Sequence, residues 1–301
     1  MSGTDDRYIL ARYAGAVPPA PEWYAAAMAA CPAPAFVEVD GARIEYLTWG
    51  EIGAPGLLLV HGGWAHAHWW AHLAPMLATG RRVAALSLSG MGGSDRRNAY
   101  SIAQHADEMR AVVRAAALDA AGAPAAAGHS FGGAPTVLAA ADPEPWLSAA
   151  IVIDASVNMV RSEANQGMRS PPRPPFATLE DGLARYRLMP PQACANDYIA
   201  DGIARRSFRP VDGGLGWAFD NDYGAKVTLT DSRINLKRAQ IPIATIYGDR
   251  SLIVTDEILE GLRRDAPDMP LIGIPDAGHH VMIDQPLATV AALRAVLALL
   301  S

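Results

Sequence analysis

Short apolar runs alternate along the chain with longer stretches that repeat apolar positions at helical spacing. The helical spacing predicts helices near His66–Ala78, Ala103–Ala117, Gly132–Ala141, Asp256–Asp265 and Leu287–Leu300. The short runs predict strands at Phe36–Val39, Arg43–Leu47, Gly56–His61, Arg82–Leu88, Ala125–Gly128, Ala149–Asp154, Ile243–Tyr247 and Leu271–Ile274. Such alternation is typical of an α/β fold, so we expect a mostly parallel eight-stranded sheet with flanking helices. The Asp40-Gly41 pair is a hairpin signal, which predicts that the sheet begins antiparallel.

The alternation of predicted strands and helices is interrupted between residues 157 and 238. Strand-like runs disappear there, and the sequence becomes rich in Arg, Pro and aromatic residues. Because a structureless loop of that length is implausible inside a compact domain, we expect an inserted, mainly helical cap over residues 157–238. Its helices are predicted around Leu179–Leu188 and Asn196–Ser207. The core is then formed by residues 36–156 and 239–301.

The first 35 residues form a separate N-terminal arm in this scheme. A lead containing Pro18, Pro19 and Pro21 precedes a short predicted helix at Glu22–Ala30. The arm is compatible with a strap over the core or with a contact arm in a homodimer, and the sequence does not distinguish the two.

Composition and charge narrow the classes of partner. The chain has 301 residues, 50% of them hydrophobic, and a formal net charge of −6. This charge provides no basic field for nucleic acid or for anionic lipid, so neither is an expected partner. The opening residues are polar and acidic, unlike a secretory signal, and no apolar run is long enough to span a bilayer. Cys31 and Cys194 form neither a metal spacing nor a disulfide framework. We expect a cytoplasmic protein.

The strongest chemical signal is the segment Gly128-His129-Ser130-Phe131-Gly132. It matches G-x-S-x-G, in which a sharp strand-to-helix turn exposes a serine hydroxyl. The five-residue pattern is weak alone, but here it follows a predicted strand and opens a predicted helix. Ser130 is therefore the candidate nucleophile.

Two further motifs supply what a serine nucleophile needs. The strand that ends in His61-Gly62-Gly63 can turn backbone N–H groups toward a developing oxyanion, as acyl transfer requires. We assign the oxyanion hole to the N–H groups of Phe131 and Gly63, with Trp64 as the second choice for the latter. After the last strand, Ala277-Gly278-His279-His280 offers an imidazole near neutral pH. His279 is the candidate general base, and His280 is the alternative.

Together these motifs resemble the α/β-hydrolase family, over about residues 36 to 301. The resemblance is to its capped subgroup, which includes esterases, lactonases, meta-cleavage hydrolases, haloalkane dehalogenases and epoxide hydrolases. Leu88-Ser89-Gly90-Met91-Gly92-Gly93-Ser94-Asp95 fits the family's turn after the fourth strand. Dehalogenases and epoxide hydrolases that resemble this chain carry Asp at the position of Ser130. The serine therefore favours hydrolysis of an ester, thioester, lactone or activated C–C bond.

The acid that orients the histidine departs from the common family pattern. In many relatives the loop after the seventh strand resembles G-x-x-D, but here it is Gly248-Asp249-Arg250-Ser251. A neutral serine at the last position cannot stabilise an imidazolium. Other relatives carry the acid at the end of the sixth strand, where this chain has Asp154. We favour Asp154 as the third member of the triad, with Asp249 as the alternative and a structural carboxylate as a further reading of Asp154.

Metal and cofactor sites are not expected. One cluster of histidines contains His61, His66, His68 and His72. The spacing of His68 and His72 suits a metal on a helix, but no nearby acidic residue or cysteine completes a site. Gly90-Met91-Gly92-Gly93 lacks the third spaced glycine of a dinucleotide fingerprint.

The sequence thus predicts a cofactor-independent serine hydrolase that acts on a small to medium, largely apolar carboxylic ester or lactone through an acyl-enzyme. Trp64 and Trp217 are weaker candidates for substrate contacts, since aromatic residues more often fill a core or wall. One alternative is a hydrolase of a C–C bond in a vinylogous diketone, which uses the same three residues. Another is a low-turnover ligand receptor on the same fold.

Overall fold

The computed structural model of the chain describes residues 8–156 and 173–300. The strands are β1 Ala35–Val39, β2 Ala42–Trp49, β3 Gly56–Val60, β4 Arg82–Leu86, β5 Tyr100–Ser101, β6 Ala125–His129, β7 Ala149–Ile153, β8 Phe208–Val211, β9 Gly214–Trp217, β10 Val227–Thr228, β11 Ile243–Gly248 and β12 Leu271–Ile274. The α-helices are α1 Glu22–Ala29, α2 Ala74–Leu77, α3 Ile102–Ala115, α4 Gly133–Ala140, α5 Leu179–Leu183, α6 Asp197–Ala204, α7 Tyr223–Lys226, α8 Ser232–Lys237, α9 Asp256–Asp265, α10 Val281–Asp284 and α11 Pro286–Leu299.

The main sheet has eight strands in the order β1-β2-β4-β3-β6-β7-β11-β12. The pairs β1–β2 and β2–β4 are antiparallel, and every later pair is parallel. The hairpin between β1 and β2 turns at Asp40 and Gly41, both with positive φ, as the sequence predicted. The predicted fold class, a mostly parallel α/β sheet with flanking helices, is confirmed.

The central strands are apolar on both faces because helices cover both sides of the sheet. All residues of β3, β6 and β7 are buried. Leu57 and Leu59 pack into a cluster that includes α11, whereas Leu58 and Val60 pack into one that includes α3. This alternation explains why the strands appear in the sequence as continuous apolar runs.

Two predicted elements differ from the structure. The helix predicted at His66–Ala78 is broken into a 3-10 turn, Ala67–Trp70, and the short helix α2. Pro75 lies in the first turn of α2, where its missing N–H is tolerated, but the same residue cannot continue a longer helix. In the region expected to lack strands, β8 and β9 form a hairpin. Pro210, Gly214 and Gly216 obscure its alternating pattern.

Residues 173–238 are here called the intervening segment, because they lie between β7 and β11. In the described part of the chain this segment contains the short helices α5 to α8 and the β8–β9 hairpin. It is tied to the sheet domain by β10, which pairs in parallel with β5. The rest of the predicted cap, residues 157–172, lies outside the described residues.

The described part of the N-terminal arm packs against α6 of its own chain. Asp197 forms an ion pair with Arg12 and accepts a hydrogen bond from the Tyr13 hydroxyl at 2.7 Å. The rings of Tyr24 and Tyr198 meet edge to face at 4.9 Å. The arm therefore packs against the intervening segment of the same molecule. Its role in a homodimer stays a prediction.

None of the helices among residues 8–156 and 173–300 has both the length and the apolar character needed to cross a membrane.

Candidate active site

Ser130 lies at the sharp turn between β6 and α4. Its φ is 51°, in the left-handed region that a side chain rarely adopts. A Cβ on Gly128 would collide with the carbonyl of Gly132, and a Cβ on Gly132 would collide with the carbonyl of His61. The flanking glycines therefore let the strand and helix close tightly enough to present a strained, partly exposed serine.

His279 connects Ser130 to Asp154, although the three residues are far apart in the sequence. Its Nε2 lies 2.9 Å from Oγ of Ser130, and its Nδ1 lies 2.7 Å from Oδ1 of Asp154. His279 follows β12, Ser130 follows β6 and Asp154 follows β7. Because parallel strands end at the same edge of a sheet, the three loops meet there.

Asp154 is fully buried and held by three donors. Its Oδ2 accepts the backbone N–H of Gly248 at 2.8 Å, and its Oδ1 accepts the Ser251 hydroxyl at 2.6 Å in addition to the His279 N–H. Ser251, which stands at the acid position of many relatives, thus donates to the carboxylate supplied by the neighbouring strand. Such bonds stabilise the ionised form of a buried carboxylate.

Asp249 is placed differently. Its Oδ1 accepts the backbone N–H of Ala277 at 3.3 Å. Of the two candidate acids, the structure brings Asp154 to His279, and Asp249 supports the loop that carries the histidine.

The predicted oxyanion donors border the same cavity as Ser130. Phe131 begins the turn into α4, and Gly63 lies across from it, since a Cβ on Gly63 would be 3.7 Å from Cβ of Phe131. Trp64, the second choice, has a φ of 59° and a half-exposed side chain that also lines the cavity. The structure therefore brings all three candidate donors to the site.

The cavity above Ser130 has a volume of about 420 Å³, within the usual range for small ligands. One wall comes from the sheet domain and includes Ala65, Phe131 and Ile253. The opposite wall comes from the intervening segment and is mainly apolar: Met189, Pro190, Tyr223, Gly224, Val227 and Leu229. Sequence reasoning did not single out this second wall, because its residues follow no motif. Trp217 lies instead in a neighbouring cavity.

Two further histidines surround His279. The rings of His129 and His280 lie 4.7 and 4.8 Å from it, centre to centre. Burial lowers the pKa of His280 to about 3, with the His279 charge adding to the effect, and burial likewise keeps the pKa of His129 well below its usual value. The ring nitrogen that lies 2.9 Å from Oγ of Ser130 belongs to His279 and not to His280.

The ligating atoms of His129, His279 and His280 lie within 4.8 Å of one another, so this group could hold a metal ion. An ion there would compete with Ser130 for His279. In the other histidine cluster, His61, His66 and His72 are engaged by Leu88, Ser207 and Met282 respectively. The expectation of no metal or cofactor stays a prediction.

Comparisons with known proteins agree with the fold and the order of the motifs. A family model described as "Alpha/beta hydrolase family" matches residues 57–293. An esterase of Mycobacterium tuberculosis, Rv0045c, is 26% identical over 279 residues, which cover 88% of this chain and 90% of the esterase. The 2-(acetamidomethylene)succinate hydrolase of Mesorhizobium japonicum is 24% identical, over 85% of this chain and 92% of that enzyme.

Solved structures show the same likeness. The thioesterase domain from the curacin biosynthetic pathway superposes with a TM-score of 0.74 at 22% identity, covering 88% of this chain and 99% of the domain. The solved structure of the Rv0045c esterase covers 99% of this chain with a TM-score of 0.66 at 22% identity. Since the family model spans most of the sequence and the sheet has the matching architecture, this chain belongs to the alpha/beta hydrolase family.

Proposed function

We propose that the protein is a serine hydrolase that cleaves a carboxylic ester or lactone through an acyl-enzyme, with small to medium, apolar groups around the scissile carbonyl. The observation that carries this proposal is the hydrogen-bonded series Ser130–His279–Asp154 at the base of a mainly apolar cavity. A nucleophile, a base and an orienting acid in this order are the parts that acyl transfer requires.

In the proposed reaction, Oγ of Ser130 attacks the carbonyl carbon while Nε2 of His279 accepts its proton. The resulting imidazolium is stabilised through Nδ1 by the Asp154 carboxylate. His279 then protonates the leaving alcohol, and the C–O bond of the ester breaks. In the second half, His279 activates water, which attacks the acyl-enzyme, and the proton returns to Ser130 as the acid is released.

Stabilisation of the negative charge that develops on the carbonyl oxygen is assigned to the N–H groups of Phe131 and Gly63. Phe131 lies at the start of the turn into α4, where the helix dipole favours an anion. Gly63 lies next to it and borders the same cavity. Removal of one such donor typically reduces kcat by about 10² to 10³.

The intervening segment is assigned the role of a cap. Met189, Pro190 and Leu229 present apolar surface opposite Ser130. Apolar walls favour an uncharged acyl or alcohol group next to the scissile bond, and they exclude water from the electrostatic interactions at the oxyanion.

The relatives support a hydrolase at a coarse level. One is named an esterase and another a hydrolase of 2-(acetamidomethylene)succinate. Their identities are low, so the substrate of this chain is assigned from its own cavity.

Covalent labelling by a fluorophosphonate, together with hydrolysis of p-nitrophenyl esters of increasing chain length, tests the proposal. Wild-type protein is expected to label and to hydrolyse short or medium esters, and Ser130→Ala is expected to do neither. Ser148→Ala is the matched control, because Ser148 is exposed and remote from the cavity. Equal labelling of Ser130→Ala and wild type would overturn the proposal.

The same screen separates the two alternatives drawn from the sequence. Faster turnover of a dienoate ring-cleavage product than of any ester would assign C–C bond hydrolysis instead. Tight binding with turnover slower than about 10⁻² s⁻¹ on every substrate would assign a receptor.

A further inference from the structure

A second cavity adjoins the one above Ser130. It has a volume of about 150 Å³ and is here called the side cavity. Gly63, Trp64, Trp69 and Met189 line both cavities, so the two are adjacent compartments of one cleft. A molecule whose carbonyl reaches Ser130 can therefore extend into the side cavity.

Three arginines line the side cavity: Arg173, Arg185 and Arg187. All three belong to the intervening segment. Among the described residues, the lining contains no aspartate or glutamate. The chain has a net charge of −6, but three positive charges surround this small compartment. The local electrostatic potential is therefore opposite in sign to the net charge of the molecule.

These arginines are not neutralised by carboxylates of the described chain. Two other arginines are paired with carboxylates: Arg205 of the same segment with Asp201 at 2.7 Å, and Arg12 of the arm with Asp197. By contrast, the guanidinium of Arg173 lies over the Phe219 ring at 5.6 Å, and that of Arg185 over the Tyr8 ring at 4.8 Å. Stacking fixes the plane of a guanidinium but leaves its N–H groups free to bind an anion.

The remaining lining is largely aromatic and includes Trp64, Trp217 and Phe219. The N–H groups of the three arginines are therefore the donors that this wall offers, and it presents no carboxylate among its described residues.

We propose that the side cavity is an anion-binding subsite, so that the substrate carries a carboxylate or phosphate group beyond the apolar part that surrounds the scissile ester. This inference rests on the proposed function, because it uses the path from Ser130 to the arginines. Arg187 is assigned as a specificity residue, and Arg185 and Arg173 complete the positive rim.

The test compares three matched aryl esters whose far end carries a carboxylate, a phosphate or a methyl ester. Wild type is expected to have a higher kcat/KM for one of the charged esters than for the methyl ester. The charged group of the preferred ester identifies the anion that the subsite binds. Arg187→Gln should reduce that preference by about 10- to 100-fold, the equivalent of a hydrogen bond to a charged group. The effect should appear in KM rather than kcat, since the anion is bound equally in ground and transition states.

The control is Arg238→Gln, which removes the same charge from an exposed arginine of the same segment outside the side cavity. Its preference should equal that of wild type. Hydrolysis of the methyl ester by Arg238→Gln should also equal that of wild type, and the melting temperature of Arg187→Gln verifies that this variant is folded. A wild type without preference for either charged ester, or an equal loss in Arg238→Gln, overturns the subsite.

A binding measurement separates this inference from the proposed function. Benzoate and phenyl phosphate are titrated while tryptophan fluorescence is followed, because Trp64, Trp69 and Trp217 line the side cavity. Saturable binding by wild type that is weakened in the Arg185→Gln/Arg187→Gln double variant supports the subsite even if no ester is hydrolysed. Equal binding by the double variant and wild type contradicts the subsite even if esters are hydrolysed.

Discussion

Among residues 8–156 and 173–300, one buried group of a hydroxyl, a histidine and a carboxylate has the same hydrogen-bond order as the group at the candidate active site. At the candidate active site, His279 connects Ser130 and Asp154 at 2.9 and 2.7 Å. In the buried group, Nε2 of His105 lies 2.6 Å from the Tyr223 hydroxyl, and Nδ1 lies 3.0 Å from Glu108. The hydrogen-bond pattern is the same, yet the surroundings differ.

The second series, here called the sealed series, is buried, although the Tyr223 residue also borders the cavity above Ser130. His105 and Glu108 are fully buried, and Tyr223 is 3% exposed. Burial alone would raise the pKa of Glu108, but hydrogen bonds from His105 and from Ser89 outweigh it, so the pKa is lowered. Burial, together with the Glu108 charge, raises the pKa of Tyr223 well above its usual value. The phenol therefore stays protonated and donates to His105.

Ser130, by contrast, is partly exposed in a cavity of about 420 Å³, beside two candidate oxyanion donors. His105 and Glu108 are three residues apart on one face of α3, and Tyr223 belongs to α7 of the intervening segment. The sealed series therefore fastens the segment to the sheet domain. Comparison of the two series indicates that this hydrogen-bond pattern predicts catalysis only where a substrate can reach the hydroxyl.

The largest effect expected from this comparison is on Ser130. Ser130→Ala should reduce kcat by about 10⁴- to 10⁶-fold, because the nucleophile is lost while the rest of the site is intact. The melting temperature should change little, since alanine keeps the Cβ and the substitution removes only the partly exposed hydroxyl. Ester hydrolysis and a thermal melt measure both quantities. A kcat within 10-fold of the wild-type value would place the nucleophile elsewhere.

The next effect concerns the orienting acid. Asp154→Asn should reduce kcat by about 10⁴-fold, because a neutral amide favours the wrong tautomer of His279. Asp249→Asn is the matched control, since its carboxylate contacts a backbone N–H and not the imidazole. Steady-state kinetics of both variants decide between the acids. A loss of this size in Asp249→Asn alone would show that the assignment is wrong.

Substitution of Glu108 should reduce stability rather than catalytic activity. Glu108→Gln should reduce the free energy of unfolding by about 3 kcal/mol, because it breaks a buried ion pair and removes acceptors for His105, Arg97 and Ser89. The kcat per folded molecule should fall by less than 10-fold. Urea unfolding and kinetics on the same sample measure the two effects. Lost activity at unchanged stability would make the sealed series part of the catalytic machinery.

The smallest effect is a dependence of stability on pH. The pKa values of six of the eight histidines are lowered, chiefly by burial: His61, His66, His68, His72, His129 and His280. Because the unfolded chain binds these protons first, stability is fully present above about pH 6.5 and is lost as pH falls toward 4.

Unfolding measured at pH 7.5, 6 and 5 tests this dependence. His72→Gln should decrease the slope of this dependence, since burial lowers the pKa of His72 to about 4 and its Nε2 lies 2.9 Å from the Met282 carbonyl oxygen. Asn235→Gln, on the outer helix α8, serves as the control and should leave the slope unchanged. Identical slopes for His72→Gln and wild type would contradict the role of that histidine.

The local pattern of apolar and polar residues was sufficient to predict many of the strands and helices. The bounds of α9 and β12 coincide with the prediction, because each is a short apolar-patterned run with clear breaks at its ends. The hairpin of β8 and β9 was not predicted, since Pro210 and the glycines give it no alternating signal. The sealed series was also missed, because a histidine and a glutamate three apart on a helix have no meaning until Tyr223 packs against them.

By itself the sequence determined the strands, their mostly parallel order and the identity of Ser130 and His279 as candidates, because buried strands and tight glycine turns are encoded by neighbouring residues. Only the tertiary structure decided that Asp154 rather than Asp249 meets His279, that Ser251 donates to that acid, and that three arginines border the same cleft. Those relations join residues from different strand ends and from the intervening segment. Their distances depend on how the sheet and that segment pack together, which no local spacing specifies.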